Sequence, residues 1–340
     1  MITLTNYRQL IFAMAGITLL FSLLIAKRTM TPEHLQKQLG LSLPSPLQRF
    51  TPDWPGAEKV TLWIKRDDRI HPIISGNKWR KLSQLLADHA ATTPHIVSFG
   101  GGFSNHLHAL GWCCKQLGIE FTALVRGNYA DSPTPMLTDL SRWQANIRYL
   151  TKLAYKQRDE PDFIAALCEQ YPGALIIPEG GSQQAALAGV QTLLEECQIT
   201  IDKIITPVAS GATMAGLING AGINARASAR QQVLGIAVLN GVGYLENLVA
   251  QFLPTNSSHD WQILHQFHHG GYARTSPALL NLCEEMQQEY GIPVEPVYSG
   301  KVFYALKSLL AQSAFAAGEQ IVIVHTGGLQ GARTDPDGHS

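Results

Sequence analysis

From residue 55 onward, short uninterrupted apolar runs alternate with longer stretches in which apolar positions recur every three or four residues. The runs at 60–64, 95–99, 121–125, 147–150, 174–177, 204–208, 233–238 and 321–325 are rich in Val and Ile. Their continuity predicts strands covered on both faces. The stretches at 79–91, 105–117, 185–197, 277–290 and 301–316 predict helices. Alternation of this kind predicts a parallel α/β architecture. A chain of 340 residues exceeds what one compact core usually takes, so two domains are expected. No internal repeat is apparent, and the polar tail at 334–340 is expected to fray.

The run at 10–26 breaks the pattern. Its seventeen uncharged residues, LIFAMAGITLLFSLLIA, follow Arg8 and precede Lys27 and Arg28. That length sits at the bottom of the spanning range of about 17 to 25 residues. A clean small-x-small cleavage site is lacking, which disfavours a cleaved signal peptide. Two readings stay open: an N-terminal anchor with membrane contact, or a start codon set too early, with Met30 opening an ordinary soluble N-terminus. The positive-inside bias of Lys27 and Arg28 puts the body of an anchored chain in the cytoplasm, and the second reading puts it there too.

Charged residues make up 15% of the chain, against about 25% in an average soluble protein, which excludes a disordered or highly solvated chain. Twenty-six basic and 26 acidic side chains balance, so no electrostatic footprint for nucleic acid is present. The five cysteines form no CxxC pair and no secreted framework, which fits a reducing compartment.

Four predicted strands run directly into glycine turns: Gly100-Gly101-Gly102-Phe103-Ser104-Asn105, Pro178-Glu179-Gly180-Gly181-Ser182, Ala209-Ser210-Gly211-Ala212-Thr213 and Thr326-Gly327-Gly328. Loops after the carboxyl ends of parallel strands share one edge of a sheet, where ligands bind in such folds. Glycine there frees backbone N–H groups to point outward, and a following helix adds its positive end, so an anion is favoured. Neither GxGxxG nor GxxxxGK[ST] follows a strand, which removes the usual dinucleotide and P-loop fingerprints. Ser210-Gly211-Ala212-Thr213 offers hydroxyls as well as amides and suits a terminal phosphate monoester; the alternative is a plain helix N-terminus.

Ser75-Gly76-Asn77-Lys78 opens a helix with a lysine in its first turn, where the positive helix end opposes the charge. Such a lysine is either solvated or, if the turn faces the anion loops, held at a lowered pKa. A neutral amine is what a lysine needs to attack an aldehyde. Together, a lysine and a phosphate-monoester loop point to pyridoxal 5′-phosphate.

SGNKWRKL, FGGGFSNH, PVASGATMAG, PVYSGK and HTGG stand in the order and at about the separations of the D-cysteine desulfhydrase / 1-aminocyclopropane-1-carboxylate (ACC) deaminase family, which this chain resembles over about residues 44–333. The resemblance implies the pyridoxal-phosphate fold type II of tryptophan-synthase β-subunits: two parallel-sheet α/β domains with the active site in the cleft between them. It suggests a small domain at 79–175 inserted in a larger one built from 30–78 and 176–333, after the hydrophobic segment 1–29 and before the tail. It also implies a homodimer and a small amino-acid substrate.

By resemblance, Lys78 matches the Schiff-base lysine and Asn105 the asparagine that hydrogen-bonds the pyridine 3′-oxygen. Ser210, Gly211, Ala212 and Thr213 match the phosphate cradle. Ser104 matches the serine near the substrate carboxylate, Tyr272 and Tyr298 the two active-site tyrosines, and Thr326 the hydroxyl partner of the pyridine nitrogen. A hydroxyl cannot hold a proton on that nitrogen as a carboxylate would, so the ring is a weaker electron sink. That favours substrates whose β-leaving group drains the developing charge. ACC deaminases carry Glu after PVY and Leu before GG, where this chain has Ser299 and Thr326. Both departures favour α,β-elimination from a cysteine-like substrate, giving pyruvate and ammonia, over ring opening of ACC; a dehydratase or racemase of the same fold is the further alternative. Phe103 stands where the family often has Gln, which implies a more apolar pocket.

Other polar clusters are read more plainly. His265, His268 and His269 lack a Cys or acidic neighbour in sequence, so no metal site is expected. Cys113 and Cys114 lie among Leu110, Trp112 and Leu117 and are read as core. His106 and His108 flank Asn105 and are read as lining the mouth of the site. Glu179 either approaches the ligand or satisfies neighbouring N–H groups.

Overall fold

The computed structural model describes residues 30–223, 231–254 and 260–333. The runs at 10–26 and 334–340 lie outside the described residues. Among the described residues no helix is long and apolar enough to cross a membrane.

Two sheets carry the chain. The larger has six strands: β1 (Leu47–Phe50), β2 (Thr61–Lys65), β7 (Lys203–Val208), β8 (Gln232–Ala237), β9 (Asp260–Leu264) and β10 (Gln320–Val324). Their order is β1-β2-β10-β7-β8-β9. All neighbours are parallel except β1, which runs antiparallel to β2. The smaller sheet holds β3 (His95–Gly101), β4 (Glu120–Arg126), β5 (Asn146–Leu150) and β6 (Leu175–Ile177) in the order β5-β4-β3-β6. Every pair in it is parallel. Interior strands β10 and β7 are buried almost throughout; β10 shows it as an unbroken Ile/Val run, whereas β7 also buries Thr206 and Pro207.

The helices, in chain order, begin with α1 (Pro32–Gln38), α2 (Asn77–His89), α3 (Asn105–Leu117), α4 (Pro135–Arg142), α5 (Lys152–Lys156) and α6 (Pro161–Gln170). They continue with α7 (Ala185–Glu195), α8 (Ala212–Ile223), α9 (Tyr244–Ala250), α10 (Pro277–Gln288) and α11 (Ser299–Ala311). Strands β1 and β2 come from the segment 47–65, yet Leu35, Leu39, Ile70 and Ile74 from its flanks pack with Leu82, Leu86, Ile96 and Phe121 in the core of the smaller sheet. The stretch before residue 78 therefore contributes to both layers.

Helices α2, α7 and α8 form the bridge between the sheets. Glycine permits the close approach: a Cβ on Gly189 of α7 would overlap the Arg80 carbonyl of α2, and one on Gly216 of α8 would lie 2.6 Å from Val190 Cβ. At this seam the Arg80 guanidinium pairs with Asp67 at 2.9 Å and with Glu196 at 2.6 Å. Lys65, fully buried, shares Glu196 and donates to the Ser45 carbonyl at 2.7 Å.

The sequence pattern does not reveal β1 and β9. Both are edge strands with polar residues, Gln48 and Arg49 in one and Asp260 and Gln262 in the other, so the continuous apolar run that marks an interior strand is missing. Helix α8 is also unpredicted: ATMAGLINGAGI has no polar stripe, because the helix is covered by α7, β7 and β8 together.

Candidate active site

The four glycine turns lie at the carboxyl ends of β3, β6, β7 and β10, two from each sheet. The N-terminus of α2 is pinned against the two from the larger sheet. Gly76 has φ +67°, and a Cβ there would overlap the Thr326 carbonyl, so only glycine fits. The Asn77 amide N–H donates to the Thr326 carbonyl at 3.2 Å. The Asn77 side chain then bridges outward: its Nδ2 donates to Thr213 Oγ1 at 2.9 Å, and its Oδ1 accepts from Lys78 Nζ at 2.5 Å. Lys78 is thus tied to the HTGG turn and to the SGAT turn through one residue that sequence reasoning did not single out. Desolvation lowers the Lys78 amine to about 8, against an upward pull from the Glu295 carboxylate.

Lys81, one helical turn on, was also not predicted. Its side chain is 2% exposed, and its Nζ donates to Ser182 Oγ at 2.8 Å and to Ser210 Oγ at 3.3 Å. These two hydroxyls, one from the β6 turn and one from the β7 turn, are 2.7 Å apart. No carboxylate pairs with Lys81 among the described residues. Burial and the neighbouring Lys78 charge press its pKa well below the usual value. A buried ammonium held only by neutral hydroxyls lacks a counter-anion. The spacing of Lys78 and Lys81, i and i+3 on a helix, puts both on one face and is the signal that could have revealed the second lysine.

Gly211, before α8, has φ +80°, and a Cβ there would overlap the Leu248 carbonyl. Ala212 and Thr213 follow it, buried, in the first turn of α8. The predicted Ser210–Thr213 segment is therefore a helix N-terminus with Ser182 and Lys81 facing it, a cradle built from both sheets.

On another side, Tyr272 and Tyr298 meet with their hydroxyls 2.8 Å apart. Burial drives the Tyr298 phenol well above its usual value, and the Tyr272 phenol is raised for the same reason first. Glu295, 2% exposed, fixes the Tyr298 backbone: it accepts from the N–H of Val297 at 2.7 Å, of Tyr298 at 3.0 Å and of Ser299 at 2.7 Å. Desolvation raises this carboxyl to about 7 despite those bonds. Ser299 Oγ donates back to Glu295 at 3.0 Å, so the hydroxyl at this position is committed to the cap of α11. Lys301 Nζ donates to the carbonyls of Val238, His268 and Gly271 and so anchors the loop that carries Tyr272.

Ser104 is the N-cap of α3, its Oγ accepting from the Leu107 N–H at 3.2 Å, and Asn105 opens the helix. Asn105 Oδ1 accepts from Gln330 Nε2 at 2.7 Å. Its Nδ2 lies beside Gly328, where a Cβ would approach it to 3.3 Å and Glu295 Cδ to 3.4 Å. Phe103 is 53% exposed at this edge and Tyr272 51%. His106 and His108 do not line the mouth as expected. Both are buried, on different sides of α3: His106 Nε2 lies 2.8 Å from Ser98 Oγ on β3, and His108 Nε2 lies 2.9 Å from Asp139 on α4. Glu179 pairs with Arg158 at 2.8 Å.

The sequence profile described as "Pyridoxal-phosphate dependent enzyme" matches residues 43–327. The chain belongs to this family. Among relatives of the pyridoxal-phosphate enzyme, the mitochondrial bifunctional D-cysteine desulfhydrase/1-aminocyclopropane-1-carboxylate deaminase of Arabidopsis thaliana is 28% identical over 317 residues, covering 85% of this chain and 77% of its own. The D-cysteine desulfhydrase of Klebsiella pneumoniae is 28% identical over 291 residues, covering 78% of this chain and 86% of its own. A crystal structure described as an ACC deaminase homologue superposes with TM-score 0.71 at 24% identity, covering 88% of this chain and 95% of the other. Serine racemase from Dictyostelium discoideum shares the fold at TM-score 0.60 and 17% identity, covering 88% of this chain and 98% of its own.

The residues present fit the cofactor of a pyridoxal-phosphate enzyme. Lys81 supplies a buried cation lacking an anion, the cradle offers two serine hydroxyls and a helix N-terminus, and Lys78 supplies an amine whose pKa burial has lowered. The remaining clusters are engaged otherwise. His265 Nε2 pairs with Glu246 at 2.6 Å and His269 Nδ1 with Ser276 Oγ at 2.9 Å. Cys113 and Cys114 are fully buried, and desolvation pushes the Cys113 thiol up to about 12.

Proposed function

We propose that this pyridoxal-phosphate enzyme is a lyase that removes a β-leaving group from a small amino acid, with D-cysteine, which with one water gives hydrogen sulfide, pyruvate and ammonia, as the leading substrate. When bound, the cofactor supplies an aldehyde for the substrate amine and a ring that takes up negative charge. The observation that carries the reading is the placement of Lys78: its amine is tied through Asn77 to both the phosphate cradle and the Thr326 turn, at a pKa of about 8. At pH 7 about one tenth of such an amine is unprotonated, some hundreds of times more than at its usual 10.5, so Lys78 would be able to hold the cofactor aldehyde and to take the substrate α-proton.

The other assignments follow the same edge. Lys81, Ser182, Ser210 and the 211–213 helix start hold the phosphate. Asn105 Nδ2 would donate to the ring 3′-oxygen, Ser104 would serve the substrate carboxylate, and Thr326 would be the hydroxyl partner of the ring nitrogen. Tyr298, kept protonated far above neutral pH, donates to or orients the leaving group with Tyr272 hydrogen-bonded behind it. Elimination is favoured over ring opening of ACC because Ser299, which replaces a carboxylate in ACC deaminases, is buried and spent on the Glu295 cap.

Borohydride reduction of the cofactor-loaded protein followed by peptide mapping is expected to leave a pyridoxyl group on Lys78. A label on any other residue overturns the site. Turnover of D-cysteine, L-cysteine, D-serine and ACC, measured side by side, is expected to rank D-cysteine first; a clear lead for ACC overturns the substrate reading while leaving the site intact. We infer a homodimer and a division into 30–78 plus 176–333 and 79–175 from the family resemblance, with light scattering and domain-wise hydrogen exchange as their tests. From the positive-inside bias of Lys27 and Arg28 we infer a cytoplasmic body, free or held by an anchor at 10–26, which fractionation of the native cells would check.

A further inference from the structure

We infer that Gln330 is a positioning residue that sets which way the Asn105 amide faces; this rests on the reading that Asn105 meets the ring oxygen of the cofactor. Gln330 follows the HTGG turn of the larger sheet and reaches across to the start of α3 in the smaller one. Its Nε2 donates to two acceptors there, the Phe103 carbonyl at 3.1 Å and Asn105 Oδ1 at 2.7 Å.

The logic is one of donors and acceptors. A backbone carbonyl can only accept, so the Phe103 carbonyl requires the NH₂ end of the Gln330 amide to face it. The same NH₂ then requires Asn105 to present its oxygen. An asparagine amide has one oxygen and one nitrogen, so Nδ2 must face the other way. There it has no protein acceptor among the described residues and lies beside Gly328 of the Thr326 turn. A relay of two amides thus converts a fixed main-chain carbonyl into a fixed hydrogen-bond donor at the cleft. Without it the two rotamers of the Asn105 amide are close in energy, and one presents oxygen to an oxygen.

A donor at the ring 3′-oxygen stabilises its anionic form, which gives the bound cofactor its long-wavelength, yellow absorption; an acceptor there favours the protonated form, which absorbs in the near ultraviolet. Gln330→Glu replaces the donor with an acceptor, repels the Phe103 carbonyl and turns the Asn105 amide around. Gln330→Met keeps the length and removes the donor.

The test is the absorption spectrum of each cofactor-loaded variant, with the cofactor dissociation constant from equilibrium dialysis as a second readout. Gln330→Glu is expected to shift intensity from the long-wavelength to the near-ultraviolet band and to weaken cofactor binding about tenfold, and Gln330→Met to do both to a smaller degree. Asp139→Ala loosens the same segment by removing the carboxylate that Arg333 pairs with at 2.7 Å, while leaving Asn105, Gln330 and the Arg333 contact with Gln330 Oε1 in place, and is expected to leave the band ratio unchanged. If Asp139→Ala moves the bands as far as Gln330→Glu does, segment docking rather than amide orientation is responsible and the inference fails. Asn105→Ala separates the two levels. No spectral change in that variant removes the contact with the cofactor and the inference with it. A change in Asn105→Ala, with both Gln330 variants like the native protein, overturns the inference alone.

Discussion

Lys78 and Lys81 sit one turn apart in a part of the molecule that holds no carboxylate against the second of them, and that imposes a sign on the pH response. Lys78 titrates near 8 in the folded chain and at its usual 10.5 when exposed, so between these values the unfolded chain holds more protons. Stability of the cofactor-free protein is therefore expected to rise as pH goes from about 8 to about 10.5. Below 8 the cost of the buried charge is present in full. Covalent occupation of Lys78 removes its share of that slope, and thermal melts of loaded and unloaded protein across this range would reveal it. Lys81→Met is expected to act in opposite directions on two measurements. It raises the melting temperature of the cofactor-free protein by removing an unpaired buried cation, and it weakens cofactor binding roughly tenfold to a hundredfold by removing a charged hydrogen-bond donor.

At this scale the glycine turns were legible because each directly follows a strand, and Lys78 because it stands in the first turn of a helix; the roles proposed for Lys78, Asn105 and Thr326 rest on the family resemblance. Asn77 and Lys81 stand inside a quoted motif, but their roles depend on which side chains cross from other turns. Gln330 acts through two hydrogen bonds to residues distant in sequence, which leave no local pattern, and Glu295 caps the N–H groups of Val297, Tyr298 and Ser299 from a loop position that lies outside any apolar period.

Among the elements, α8 and α11 show how a helix start is made to serve the site. Gly211→Ala would place a Cβ against the Leu248 carbonyl at φ +80° and is expected to cost more than about 1 kcal/mol, with most of the loss in cofactor retention because the cradle shifts. Denaturant titration in parallel with dialysis would separate the two. Arg80→Met, at the crossing of α2 and α7, leaves Asp67 without its buried cation and Glu196 with Lys65 alone; a loss of about 3–5 kcal/mol is expected by the same denaturant measurement. The elements best anticipated were those with one clear period: β8 and β10 as unbroken apolar runs after their first residue, and α3, whose span Asn105–Leu117 matches the expected 105–117. Short helices such as α4 were missed even though Thr134 caps it and Pro135 opens it, a start signal that lies outside any apolar period.

For the molecule as a whole, the parallel α/β architecture followed from alternation of strands and helices and its two sheets from the family resemblance, but the seam between the sheets followed from neither. That seam is a set of crossings: Asn77 to Thr213, Lys81 to Ser182 and Ser210, Gln330 to Phe103 and Asn105, Arg333 to Asp139. The edge that carries the predicted site is also where the layers are fastened. Inorganic phosphate alone is therefore expected to raise the melting temperature of the cofactor-free protein, by an amount that grows with the logarithm of its concentration. The response should vanish in Lys81→Met.

The serine pair beneath Lys81 has one more consequence. Ser182 belongs to the smaller sheet and Ser210 to the larger, and a shared anion would act on them as a rivet between two plates. The vitamin-derived group would then govern how long the protein survives a protease, apart from any catalysis: starved of it, the plates part and the connecting segments are cut; supplied with it, they stay shut.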